Sequence, residues 1–219
     1  MSAHATVFEV NPETGELSDR RDMPTVVSSL LRRAHPQLAD FRELGALRTR
    51  TGCLAVVDPI SHLHKQPLSR RAPKGEHPVS LCTTQGGEIG AVLVSFAQGE
   101  VASVERATWV WPFADSLRYG VESGLVALLD YDEVNELDPI RTERLSLLSS
   151  LPPEIPGAVV SLPRVRKWNA VVCRPAPDGN HFYSAHWALD AGGATLALIL
   201  DFAAFALSLI HISEPTRPY

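Results

Sequence analysis

Apolar residues along this chain gather in short runs separated by turn-forming tetrads, and their spacing changes period as the chain proceeds. Residues 7–10 predict a strand, and Asn11-Pro12-Glu13-Thr14-Gly15 supplies a tight turn after it. Residues 24–44 carry helical spacing instead. Pro24 suits a first helical turn, and Val27, Leu30, Leu31 and Ala34 make one apolar stripe. Pro36 breaks or restarts that helix, leaving Leu38, Phe41 and Leu44 as a second short face, with Gly45 as its terminator. From Leu47 the period shortens. Compact apolar strands are predicted over 53–57, 79–83, 89–96, 125–129, 169–173, 182–188 and 194–205, and an alternating one over 101–111. Gly-bearing turns separate several of them, among them Gln85-Gly86-Gly87-Glu88 and Asp190-Ala191-Gly192-Gly193, as in antiparallel meanders. Pro152, Pro153, Pro156 and Pro163 make residues 151–163 a loop or edge segment. Two short helices are predicted over 132–137 and 140–148, with Asp138-Pro139 as the cap pair between them.

The pattern predicts an α+β, mainly β fold in one domain over residues 1–206. It is an antiparallel sandwich or a strongly curved sheet, with a helical elaboration at about 24–44 and a β-rich body from about 47. A chain of 219 residues is long enough for a substantial core, and 45% hydrophobic with 21% charged residues is not the composition of a disordered chain. A net charge of −5 gives no global attraction to nucleic acid or anionic membrane, so neither is expected as a partner. No run of apolar residues reaches the length of a membrane span, and the first residues lack the basic start and apolar stretch of a signal peptide, which points to the cytoplasm. Cys53, Cys82 and Cys173 are expected as buried, reduced thiols. Residues 207–219, LSLIHISEPTRPY, read as the translation of a transposase adapter from a sequencing library. They are set aside together with His211.

Asp58, Glu122, Asp130, Asp190 and Asp201 begin or end apolar strands. Gathered at one rim of the sheet, such acids could hold a hard cation or work as general acid and base. Taken singly, Asp favours turns and caps because its carboxylate accepts nearby backbone N–H groups. Asp130, with Glu133 three residues on, has the spacing of a capping box, and Asp178 and Asp190 lie in predicted hairpin turns. Glu122 stands apart, because Ser or Gly would make the turn before Ser123-Gly124 without a charge. His62, His64, His77, His181 and His186 offer no third ligand in predictable reach, so no metal is expected. No P-loop, dinucleotide fingerprint, nucleophile elbow or zinc-protease motif occurs, and no cofactor is expected. The basic loop over 65–74 is expected to be solvated, and Trp109, Trp111, Trp168 and Trp187 to serve mainly in packing.

The turns also form a recognisable series. Gly52 through Asp58-Pro59, Pro67-Leu68, Pro73-Lys74-Gly75-Glu76-His77-Pro78-Val79, Ala107-Thr108-Trp109 and Gly120-Val121-Glu122-Ser123-Gly124 with Asp130 appear in order. Asp178-Gly179 and Trp187, Asp190, Gly193 and Asp201-Phe202 follow. In this the chain resembles a widespread bacterial family known as domain of unknown function 4241, over roughly residues 47–205. The family usually has Asp where this chain has Glu122, and an aromatic residue where it has His77. The resemblance implies a fold and a set of positions, and no activity. The function expected is therefore a binding or interaction module for a protein or small ligand. Its candidate surface comprises Asp58, His77, Glu122, Ser123, Asp130, Asp178 and Asp190. The alternatives are a hydrolase or lyase in which Asp58 and Glu122 converge with His77 or His186, and an immunity protein of a toxin system. Convergence of the side chains decides between binding and catalysis.

Overall fold

The computed structural model describes residues 8–10, 17–19, 23–60, 66–110, 119–121, 123–133, 155–161, 169–175 and 181–202. In chain order the elements are strands β1 (Phe8–Val10) and β2 (Leu17–Asp19), helix α1 (Met23–Leu31), then β3 (Leu38–Thr49), β4 (Leu54–Val57), β5 (Gly75–Thr84) and β6 (Ile89–Ser95). They continue with β7 (Ser103–Arg106), β8 (Tyr119–Val121), β9 (Val126–Asp130), a 3-10 turn at Tyr131–Glu133, β10 (Gly157–Ser161), β11 (Asn169–Cys173), β12 (His181–Leu189) and β13 (Thr195–Asp201). The fold is mostly β, as the spacing predicts; among the described residues it has two main antiparallel sheets, a two-stranded β1–β2 ribbon and one short helix.

The smaller sheet has the order β10-β11-β9-β4. The larger runs β3-β5-β6-β13-β12-β7, and β8 continues the edge beyond β7 by pairing with the first residues of β12. Alternation decides what lies between the sheets. Leu54, Val56, Val126, Leu128, Val171 and Cys173 of the smaller sheet meet Val79, Leu81, Val92, Val94, Trp187 and Leu198 of the larger in one buried cluster. Each large aliphatic side chain buried there contributes on the order of 2 kcal/mol by transfer from water. The opposite face of the larger sheet is covered by α1. Val27 and Leu30, on one side of the helix, pack with Cys82, Ala91, Leu93, Ala188 and Ile199. The outer face of the smaller sheet is buried too, through Ala55, Ala127, Leu129, Ala170 and Val172.

Expectations for two stretches are overturned. Leu38, Phe41 and Leu44 do not form a second helical face but lie in β3. The spacing of three arises because β3 slips register twice against β5, between Leu38 and Asp40 and again between Glu43 and Gly45. A bulge inserts a residue and resets the alternation, so Leu38 and Phe41 reach the same face, toward α1, while Leu44 turns to the inter-sheet core. Gly45 ends no helix; at φ 124° it sits at the second bulge, against Val159 of β10. The expected strand over 101–111 is also shorter. It is β7, followed by an isolated bridge from Trp109 to Leu68. Residues 157–161, in the proline-rich stretch, form the edge strand β10. The helices expected over 132–137 and 140–148 lie outside the described residues, except for the single 3-10 turn.

The sheets are joined at two corners. At one, the side-chain amide of Asn169 on β11 donates to the Ala46 carbonyl (2.8 Å) and accepts from Arg48 N–H (2.9 Å), so an amide takes the place of a neighbouring strand along the edge of β3. At the other, residues 66–73 form a strap. Leu68 N–H donates to Leu54 O and Ala72 N–H to Gly52 O on the smaller sheet's side, while Ser69 N–H donates to Thr108 O after β7. Gly52 is required where the strap crosses, because at φ 75° a Cβ would overlap the Ala72 carbonyl.

Candidate functional site

Convergence of the acids would distinguish a catalytic site from a set of turn formers. Asp58 follows β4 and is buried. Its Oδ1 accepts from Ile60 N–H (2.8 Å) across Pro59 and from the Ser123 hydroxyl (2.7 Å), and its Oδ2 accepts from Ser123 N–H (2.8 Å). Two candidates, Asp58 and Ser123, are thus brought together, and the carboxylate shapes the turn that leads into β9. Glu122, Asp178, His62, His64, Trp111 and Trp168 lie outside the described residues.

Asp130 occupies the other end of the same ladder, opposite Leu54, and has no exposure. Its Oδ2 receives the N–H groups of Arg50 and Thr51 (2.8 Å each) and of Gly52 (3.3 Å). Its Oδ1 receives the Thr51 hydroxyl (2.6 Å) and the Asp132 N–H (3.3 Å). The last bond is the local cap read from the sequence. The other four hold the turn between β3 and β4, and nothing in the local spacing announced them. His77 stands near this end, across from Leu47. Its Nε2 is 2.8 Å from the Pro73 carbonyl, which can only accept, so the proton is on Nε2. The ring also meets Thr49 Oγ1 at 3.2 Å and lies edge-on to Phe96, with centroids 4.9 Å apart. Imidazole therefore fills the aromatic place that the resemblance implies there. Asp190 closes the β12–β13 hairpin, its Oδ1 accepting Gly192 and Ala194 N–H at 2.8 Å each, as its turn spacing predicts.

The candidate surface is consequently divided. β8, which precedes Ser123, pairs with the start of β12, whereas the Asp190 turn closes the far end of that strand. Asp58 and Ser123 lie at one end of the sandwich, and Asp130, His77 and Asp190 at the other. Each described acid of that set is engaged by nearby N–H or hydroxyl donors, and none is paired with a second carboxylate or with a histidine.

Two groupings were not foreseen. The first is a row on the helix-covered face of the larger sheet. Ser184 and Asp201 are opposite each other across β12 and β13, His186 is two residues on, and all three are buried. The Ser184 hydroxyl lies 3.0 Å from His186 Nε2 and 3.5 Å from Asp201 Oδ2. Burial, with Arg106 opposite on β7 adding like charge, pulls His186 down to about 4. This is not a nucleophile relay. There the histidine stands between the acid and the hydroxyl, and the hydroxyl is open to substrate; here the serine stands in the middle and is buried. The signal was available as alternation, since Ser184 and His186 share parity on one strand, but its partner Asp201 is 17 residues away from Ser184.

The second grouping is a cavity of about 340 Å³ between the strap and β7, lined by Ser69, Arg70, Glu105, Arg106, Thr108 and Trp187. Arg70 donates to Glu105 at 2.8 Å and to the Gly193 carbonyl at 3.3 Å. The Ser69 and Thr108 hydroxyls bond each other at 2.8 Å. Trp187 is buried in the inter-sheet core and its indole N–H finds no acceptor among the described residues. Only tertiary pairing assembles this wall, because the strap and β7 are far apart in sequence.

All three cysteines are free; burial, with Asp40 adding to it, pushes the Cys82 thiol up to about 12, and burial alone raises Cys173. Among the described residues no three His, Cys, Asp or Glu side chains are grouped to hold a metal ion, and no helix is long and apolar enough to cross a membrane. Among known families, residues 47–154 match the one described as protein of unknown function (DUF4241), the family that the turn series resembles, over the first part of the stretch. No curated protein and no solved structure matches the chain.

Proposed function

We propose that this domain of unknown function is a non-catalytic binding module, and that its ligand is a small, charge-balanced polar molecule held in the cavity between the strap and β7. The observation that carries this reading is the composition of that cavity. A guanidinium and a carboxylate, already 2.8 Å apart, sit beside two hydroxyls and an indole, while Arg106 of the lining shares the His186 side of its strand. A lone anion at Arg70 would stand beside the like charge of Glu105, and a lone cation at Glu105 beside that of Arg70. A zwitterion of the α-amino acid kind replaces both partners at once, its carboxylate taken by the fork of Arg70 and its ammonium by Glu105. The volume suits a molecule of that size. A hydrolase or lyase is the weaker reading, because among the described residues Asp58 is engaged by the donors of its own turn and of Ser123 and pairs with no histidine.

The test is a thermal-shift and calorimetric screen of free amino acids and dipeptides against the protein and its Arg70→Ala variant. The Arg70–Glu105 pair is partly exposed and contributes about 1 kcal/mol or less to folding, so the unliganded variant melts near wild type. At least one zwitterion is expected to raise the melting temperature of the wild type saturably, with affinity at least about tenfold weaker in the variant. No shift with any zwitterion, or equal shifts in both proteins, would overturn the reading.

A further inference from the structure

The larger sheet ends at β3, a strand of 12 residues whose sole strand partner among the described residues is β5. The C-terminal half of its free edge is occupied by the Asn169 amide at Ala46 and Arg48. The N-terminal half is different. Ala39, Asp40, Arg42 and Glu43 are all exposed, and Phe41 between them is half-buried against the α1 side. On that side Arg33 covers the Phe41 ring at 4.3 Å and bonds Glu43 at 2.8 Å. Asp40 and Arg42 share the other face of the strand and have no ion-pair partner among the described residues.

We propose that this edge pairs with the same edge of a second copy of the chain, antiparallel, about a two-fold axis at Phe41. The charges select the register. Centred on Asp40, the pairing would set Asp40 against Asp40 of the other copy; centred on Arg42, it would set Arg42 against Arg42. Centred on Phe41, it sets Asp40 against Arg42 twice, once on each side of the axis, with the Phe41 backbones directly opposed. Charges on an edge strand usually prevent pairing, and here they do so for the neighbouring registers while favouring one. The regular segment is short, because β3 is bulged between Leu38 and Asp40 and again between Glu43 and Gly45. The dimer is therefore weak, with a Kd on the order of micromolar, and sensitive to salt.

Sedimentation equilibrium of the full chain tests this. The wild type is expected to dimerise reversibly, and raising NaCl from about 0.05 to 0.5 M weakens it several-fold. Asp40→Arg and Arg42→Asp each place like charges face to face twice and should weaken the dimer at least about tenfold. The double exchange, Asp40→Arg with Arg42→Asp, restores both pairs with their signs reversed and should return the Kd to within about threefold of wild type. These side chains are exposed, so circular dichroism should show all variants folded. A wild type that stays monomeric, assembles beyond the dimer, or responds to the double exchange as it does to either single change would overturn the proposal.

Discussion

Asp130 and Asp201 are both carboxylates without solvent exposure, at the C-terminal ends of the core strands β9 and β13, yet their surroundings differ in kind. Asp130 is met mainly by backbone N–H groups of one turn, which point where the main chain puts them and do not titrate. Asp201 is met by the hydroxyl of Ser184, which is shared with the imidazole of His186. The first is a fixed joint between strands. The second belongs to a row whose state depends on a proton. Burial of an acid at a strand end therefore does not mark a site; the identity of its donors says what the acid does.

The largest effect should come from breaking the fixed joint. Asp130→Asn keeps the shape but turns an NH₂ group toward either the Arg50, Thr51 and Gly52 N–H groups or the Thr51 hydroxyl and Asp132 N–H. A loss of about 2–4 kcal/mol in urea unfolding is expected, since several partly buried donors lose a charged acceptor together. The titratable row sharpens the contrast through pH. His186 is held at about 4 in the folded chain, below its ordinary value of 6.5, so the unfolded chain binds more protons between these values. The stability tied to the neutral ring is complete above about pH 6.5 and is lost as pH falls toward 4, on the order of 3 kcal/mol in all. Wild type minus His186→Gln, measured from pH 7 to 5, should show this slope; parallel curves would remove the row from the comparison. The smallest change is at the opposite end of the β4–β9 ladder, where Ser123→Ala deletes one hydroxyl bond to Asp58 but leaves the Ser123 N–H bond in place. About 1–2 kcal/mol is expected by chemical denaturation.

Much of the local architecture was legible. The Asp190 turn, the 169–173 strand, the edge character of the proline-rich stretch and the helix carrying Val27 and Leu30 follow from spacing and turn chemistry, as do the unpaired cysteines. β3 was not legible, because two bulges convert an alternating pattern into one with helical spacing. Of the site, Asp58 and Ser123 were named as neighbours of one surface, and they do touch. His77 and Asp130 were named with them and lie at the other end.

The sequence by itself determined most of the core strands and several of their turns, because alternation and turn chemistry depend on interactions within a few residues of each position. Only the tertiary structure decided what each polar group meets. Asp58 and Ser123 are separated by 65 residues, Asp130 and Thr51 by 79, and Arg70 and Glu105 by 35. The strap cavity and the exposed half of β3 exist only once the two sheets are stacked and their corners closed. Carboxylates and hydroxyls bond any donor brought within about 3 Å, so their chemistry follows from chain topology and not from the residues beside them in sequence.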